Sequence, residues 1–79
     1  MASSSLTVKY AVVIERGPRS YGATVPDLPG CFAVAKTLAG VKQLMRGAIA
    51  MHIDGLRDDG LPVPQPRTQV AMIGAKRIE

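Results

Sequence analysis

One cysteine, Cys31, is all the chain possesses, so no disulfide can brace a single copy, and a lone thiol suits a reducing compartment. A cytoplasmic location is the expectation. Long hydrophobic runs are missing too. Residues 1–5 offer neither a charged stretch nor an apolar core, and the apolar run that follows is interrupted at Lys9 and Glu15, which excludes a secretion signal and a membrane span from this reading. There is no block of like charge either. Ten basic and six acidic residues give a net charge of +4, but the basic ones are scattered from Lys9 to Arg77. That describes a solvated, mildly cationic surface, and direct nucleic-acid binding is not expected. No glycine-rich phosphate cradle is present: Gly17 is followed by proline and Gly30 by Cys31, with no lysine and hydroxyl placed to grip phosphate or metal. No internal repeat is visible.

What is there points to a small folded unit. Seventy-nine residues enclose one core, so residues 1–79 read as a single domain with an ordered part of about 6–73. Hydrophobic residues make up 47% and charged ones 20%, outside the composition of disorder. A domain this small buries only about 60% of its unfolded surface, which leaves little stability margin and favours self-association, as a dimer or tetramer.

Residues 6–15 (LTVKYAVVIE) place Val8, Tyr10, Val12 and Ile14 on one face at period two, the pattern of a strand. The other face is mixed. Residues 16–20 (RGPRS) supply Gly and Pro for a hairpin connection, and residues 21–25 return as an antiparallel strand. Residues 26–30 (PDLPG) must form a fixed turn, within which Asp27 is expected to accept from its own backbone. A third strand follows over 31–35 (CFAVA). Thr37 is placed to cap a helix, because its hydroxyl can accept from a free amide of the first turn. Val41, Leu44, Met45, Ala48, Ile49, His52, Ile53 and Leu56 recur at three- and four-residue spacing, which predicts an amphipathic helix over 38–59 with Gly60 as a left-handed stop. Gly40, Gly47 and Gly55 fall near one line of that helix at a cost of about 1 kcal/mol each. They could admit another backbone, or be drift. Residues 61–66 (LPVPQP) are a stiff extended connector. Residues 68–73 (TQVAMI) read as a last strand and 74–79 as a frayed tail. The fold class is α+β, in the order β-β-β-α-β, with one helix packed on an antiparallel sheet.

The segments YAVVIE, SYGATVPDLPGCFAVAKT and HIDGLRDDGLPVPQP together resemble the HicB family of antitoxin domains, over residues 9–66; YGATVPDLPGCFA is the most specific piece. The resemblance implies a partial RNase H-like β-β-β-α-β domain that associates with itself and neutralises a HicA-type RNA-cleaving toxin by covering its active site. Fuller members often carry a C-terminal helix-turn-helix or ribbon-helix-helix domain. This chain ends soon after its expected last strand, so no such DNA-binding domain is expected. At the helix start Leu38, Ala39 and Gly40 replace the acidic residues common in such domains.

Catalysis finds no constellation. A two-metal nuclease needs several carboxylates converging on cations about 4 Å apart, whereas Glu15, Asp27, Asp54, Asp58, Asp59 and Glu79 are dispersed over strand, turn, helix and tail. His52 lies on the apolar helix face without a nucleophile or an orienting carboxylate at a telling spacing. Cys31 has neither metal-ligand neighbours nor a cation nearer than Lys36 to activate it, and reads as a small core residue. Neither enzyme activity nor a cofactor or metal is expected. What remains is surface: a sheet of few strands leaves an edge that can recruit another chain. Tyr21, Leu28, Phe32 and Val34, apolar side chains beside a rigid turn, are the candidate partner contacts, against the alternative that all four fill the core. The leading expectation is an antitoxin-like protein-binding module. The alternatives are a stand-alone homo-oligomeric domain binding a small ligand or another protein, and a residual metal-dependent nuclease.

Overall fold

The structure is a computed structural model that describes residues 8–77. Three strands and one helix form in chain order: β1 (Val13–Arg16), β2 (Tyr21–Thr24), β3 (Phe32–Ala35) and α1 (Leu38–Asp58). The sheet is antiparallel throughout, in the order β1-β2-β3. This is the α+β class read from the sequence, with boundaries that differ instructively.

The first strand joins the ladder only at Val13, which pairs with Thr24, whereas the sequence pattern begins at residue 6. Residues 6 and 7 lie outside the described ones. Residues 8–12 stay unpaired because β2 gives out: Thr24 is followed by Val25 and then Pro26, which has no N–H to donate. The period-two reading still describes burial here, since Tyr10, Val12 and Ile14 all pack on the core. At the other end Arg16 pairs with Tyr21, so the hairpin connection is shorter than expected, and the Gly17 amide closes it on the Ser20 carbonyl at 2.8 Å.

Between β2 and β3 the chain folds residues 26–30 into a knot of backbone bonds. The Leu28 amide donates to the Val25 carbonyl and the Cys31 amide to the Leu28 carbonyl, both at 3.0 Å. Gly30 completes the turn at φ +86°, a left-handed conformation that a Cβ would strain. The knot drives Leu28 inward until none of it is exposed.

The helix is bounded as its ends require. The Gly40 amide donates to Thr37 Oγ1 at 2.9 Å, the expected N-cap. At the C-terminus the Gly60 amide reaches the Arg57 carbonyl and the Leu61 amide the Leu56 carbonyl, with Gly60 at φ +70°. That paired closure around a left-handed glycine uses carbonyls the helix would otherwise leave free. The helix lies over β3 and β2 and not over β1. Ala23, Ala33 and Ala35 on the inner sheet face are small enough to let it come close. Val41 and Met45 are its buried residues; Ala48 and Ile49 flank them, and Leu44, expected on the same stripe, is exposed. The core is thus small: Ala23, Val25, Leu28, Cys31, Val41 and Met45, ringed by Tyr10, Tyr21 and the residues just named.

The expected last strand is not formed. Residues 68–73 have no ladder partner, and Val70, Met72 and Ile73 are 67%, 93% and 86% exposed. The segment leaves the domain instead of returning to an edge of its own sheet. The radius of gyration, 15.3 Å, accordingly exceeds the about 12 Å of a compact domain of this length.

These contacts separate the glycines by role. Gly30→Ala should destabilise the domain by about 1–2 kcal/mol through its left-handed φ. Gly47→Ala and Gly55→Ala, where an added Cβ would meet nothing within 4 Å, should each stabilise it by up to about 1 kcal/mol of helix propensity. Urea denaturation of the three variants checks both signs.

Candidate functional site

The register sorts the sheet into two faces. Ile14, Ala23 and Ala33 form one cross-strand row toward the helix; Val13, Thr24 and Phe32 form the neighbouring row on the opposite side, as do Glu15, Gly22 and Val34. No helix or strand among the described residues covers that outer face. Phe32 is 66% and Val34 58% exposed, and Val13 is exposed as well. Large apolar groups grouped on an open sheet face, beside an edge strand, make this face the candidate contact surface.

A groove of about 690 Å³ runs along the free edge of β3, where the helix stops short of covering the strand. Phe32, Ala33 and Val34 form one wall, and Leu44, Gly47, Ala48 and Met51 the other. Met51 is 71% exposed, and its apolar side chain sits off the stripe that meets the core.

The four expected contact residues therefore divide. Phe32 and Val34 are on the surface, side by side on the outer face of β3. Tyr21 is half-buried, packed against the core at the far end of the inner face. Leu28 cannot touch a partner in this fold, because the turn encloses it completely. A leucine in a surface turn has two uses, display or anchorage, and the backbone bonds of residues 25–31 select anchorage.

With its turn closed by backbone, Asp27 does something other than the expected local bond. Its Oδ2 accepts from the Arg67 amide at 2.8 Å and the Thr68 amide at 2.9 Å, while Oδ1 accepts from Thr68 Oγ1 at 2.9 Å. A second tie runs from Tyr10, whose hydroxyl donates to the Pro64 carbonyl at 2.6 Å. Together they strap the proline-rich connector across the end of the sheet where the 26–30 turn lies. Neither long-range pair had a signal in local sequence, since spacing carries no information across 40 residues or more.

The remaining reactive groups are quiet. Cys31 is buried and its thiol is pushed up by that burial, away from the thiolate. His52 is half-buried beside Gly30, Cys31 and Met51. The described residues bring together no group of three His, Cys, Asp or Glu side chains able to hold a metal ion. Among them, no helix is long and apolar enough to cross a membrane.

This architecture has relatives. The family model described as the HicB-like antitoxin of bacterial toxin-antitoxin systems matches residues 10–77. The chain belongs to the HicB-like antitoxin family. Among solved structures, this HicB-like domain superposes on a chain of a HicA3 and HicB3 toxin-antitoxin complex with a TM-score of 0.66 and 30% identity, covering 76% of this chain and 70% of that one. It is also 36% identical over 56 residues to an uncharacterised 14.9 kDa protein from the rep-hol intergenic region of Haemophilus phage HP1 (strain HP1c1). That match takes in 71% of this chain but only 42% of the phage protein, so the HicB-like domain spans under half of that relative.

The strap gives a pH test. Accepting from the Thr68 and Arg67 amides holds the Asp27 carboxyl below its ordinary value. A carboxylate lowered on folding contributes stability above its unfolded pKa of about 3.9, and that contribution fades as pH falls through the lower folded value. The Arg67 and Thr68 amide resonances should therefore shift together only below about pH 4, with the titration of Asp27. In Asp27→Ala both amides should lose hydrogen-exchange protection already at neutral pH, while those of β2 and β3 keep theirs.

Proposed function

We propose that this domain is an antitoxin module that binds a HicA-type RNA-cleaving toxin and silences it by covering its active site. The observation that carries the reading is the fold neighbour: a chain at 30% identity whose structure is a HicA3 and HicB3 toxin-antitoxin complex. The surface supports it. Phe32, Val34 and Val13 form an apolar face on a rigid sheet, which needs little ordering before it can dock. Occlusion asks for shape and exposed apolar area, and no reactive group takes part in it.

In this reading Phe32 and Val34 are the anchors and Tyr21 supports the rim from the inner face. Leu28 acts indirectly, by holding the turn from which β3 starts. The module needs no cofactor and performs no chemistry of its own. It works in the cytoplasm, where a reduced Cys31 and a toxin acting on RNA both belong.

The partner should be encoded beside this chain as a short basic protein. Co-expressed, the two should purify together, and the toxin stripped from the complex should regain ribonuclease activity. Phe32→Asp or Val34→Asp should weaken the complex by about tenfold or more, some 1.4 kcal/mol, since truncating an interface anchor costs at least that. Both side chains are exposed, so the circular dichroism spectrum and melting temperature should hold. A neighbouring chain that purifies separately, or a toxin that stays active in the complex, would overturn the proposal.

A further inference from the structure

The outer sheet face has a hollow in its middle strand. Gly22 of β2 lies between Glu15 of β1 and Val34 of β3 in one cross-strand row, whereas the neighbouring row of Val13, Thr24 and Phe32 carries a side chain at every place. Adjacent strands are about 4.8 Å apart, so the two flanking backbones stand roughly 10 Å from each other with no side chain between them. The hollow measures about 390 Å³ and runs as far as Ser20 at the hairpin end.

Nothing in the fold asks for glycine at this place. The described glycines with positive φ are Gly30 and Gly60, so Gly22 has ordinary strand backbone, and a Cβ built on it would meet nothing within 4 Å. Gly40 is different, because a Cβ there would come within 2.8 Å of Thr37 Oγ1 and the helix cap accounts for it. A glycine inside a strand gives up packing and chain entropy, and one use for it is to let a ligand or another chain come close. The two walls of the hollow are chemically unlike. Val34 is apolar and 58% exposed, and Glu15, also exposed, is the one carboxylate in the paired rows of this face. Arg16 lines the hairpin end too, but the register puts it in the inner row with Tyr21 and Ala35, so Glu15 alone carries charge in the row of Gly22.

We propose that the hollow over Gly22 receives one long basic side chain, lysine or arginine, of the protein that docks on the outer face. The methylene stem lies along Val34 and the charged head meets the Glu15 carboxylate, so each wall is matched by one half of the guest. The inference rests on the antitoxin reading for its partner, a short basic chain, and adds to that reading the point at which such a chain is recognised. An exposed ion pair of this kind contributes little affinity. It contributes selection, because a partner offering a neutral or acidic group here would cover Glu15 without pairing it.

Two measurements test the subsite. The first uses the free chain with n-butylguanidinium as the probe, followed by the backbone amide resonances. Those of Glu15 and Gly22 should shift saturably, n-butyrate should leave them in place, and both Glu15→Gln and Gly22→Val should abolish the response. The second uses the complex with the neighbouring basic chain. Gly22→Val should raise the urea midpoint of the free domain, since valine suits a strand better than glycine, and yet raise the Kd of the complex about tenfold or more by filling the hollow. Glu15→Gln should weaken the complex by about twofold to fivefold and alter its salt dependence. Butylguanidinium that leaves Gly22 unmoved, butyrate that binds in its place, or a complex that tolerates Gly22→Val would overturn the proposal. A chain that takes butylguanidinium at Gly22 but binds no neighbouring protein would overturn the antitoxin reading and leave the subsite standing.

Discussion

The constraint on which this domain turns is the burial of Leu28. Residues 26–30 could be a loose proline-rich loop, and what makes them a structural element is a leucine driven into the core by the bonds from residue 25 to residue 31. With so few buried residues, one fully enclosed leucine is a large share of the hydrophobic stabilisation, on the order of 1.5–3 kcal/mol. Leu28 then fixes where β2 ends and where β3 begins, and with them the register that sorts Ala33 inward and Phe32 outward. Asp27, adjacent to Leu28, is turned outward by the same geometry, which frees its carboxylate to hold the connector. One apolar side chain thus positions β3 and the strap together.

The inner sheet face is built from small residues, and that choice decides the surface. Ala23, Ala33 and Ala35 admit the helix closely but contribute little area of their own, so the large apolar groups of β3 have no place inside. Phe32 and Val34 remain outside, on a face that no helix or strand among the described residues covers. A monomer would gain by replacing them with polar residues. Their presence on a domain of marginal size favours a second surface to complete it.

Much of this was legible in the chain. The Thr37 cap, the Gly60 stop, the 26–30 turn and the three strands follow from residue chemistry within a few positions, and local chemistry acts wherever it is placed. Burial of individual residues was less legible. Leu44 fits the helical stripe by spacing, yet the helix is rotated so that Val41 and Met45 face the core, and spacing alone does not fix the edge of a stripe. Leu28 and Phe32 looked alike as apolar neighbours of a turn; only the turn's hydrogen bonding separates the enclosed one from the displayed one. The last strand was misread for a different reason. Residues 68–73 have the propensity of a strand, but a strand exists only when an edge accepts it, and within one copy none does.

Electrostatics narrows how such a module can hold its partner. If the partner is the small basic toxin proposed above, a chain of net charge +4 gains no long-range attraction from it, so steering does not supply the affinity. Asp54, Asp58 and Asp59 sit at the end of the helix, and the paired rows of the outer sheet face carry one carboxylate, Glu15, in the row of Gly22 and Val34. In that proposal the contact draws on the apolar area of Val13, Phe32 and Val34 on a stiff backbone. Repulsion between two basic chains weakens as salt rises while apolar burial does not. The proposed contact therefore holds by fit and apolar burial more than by charge.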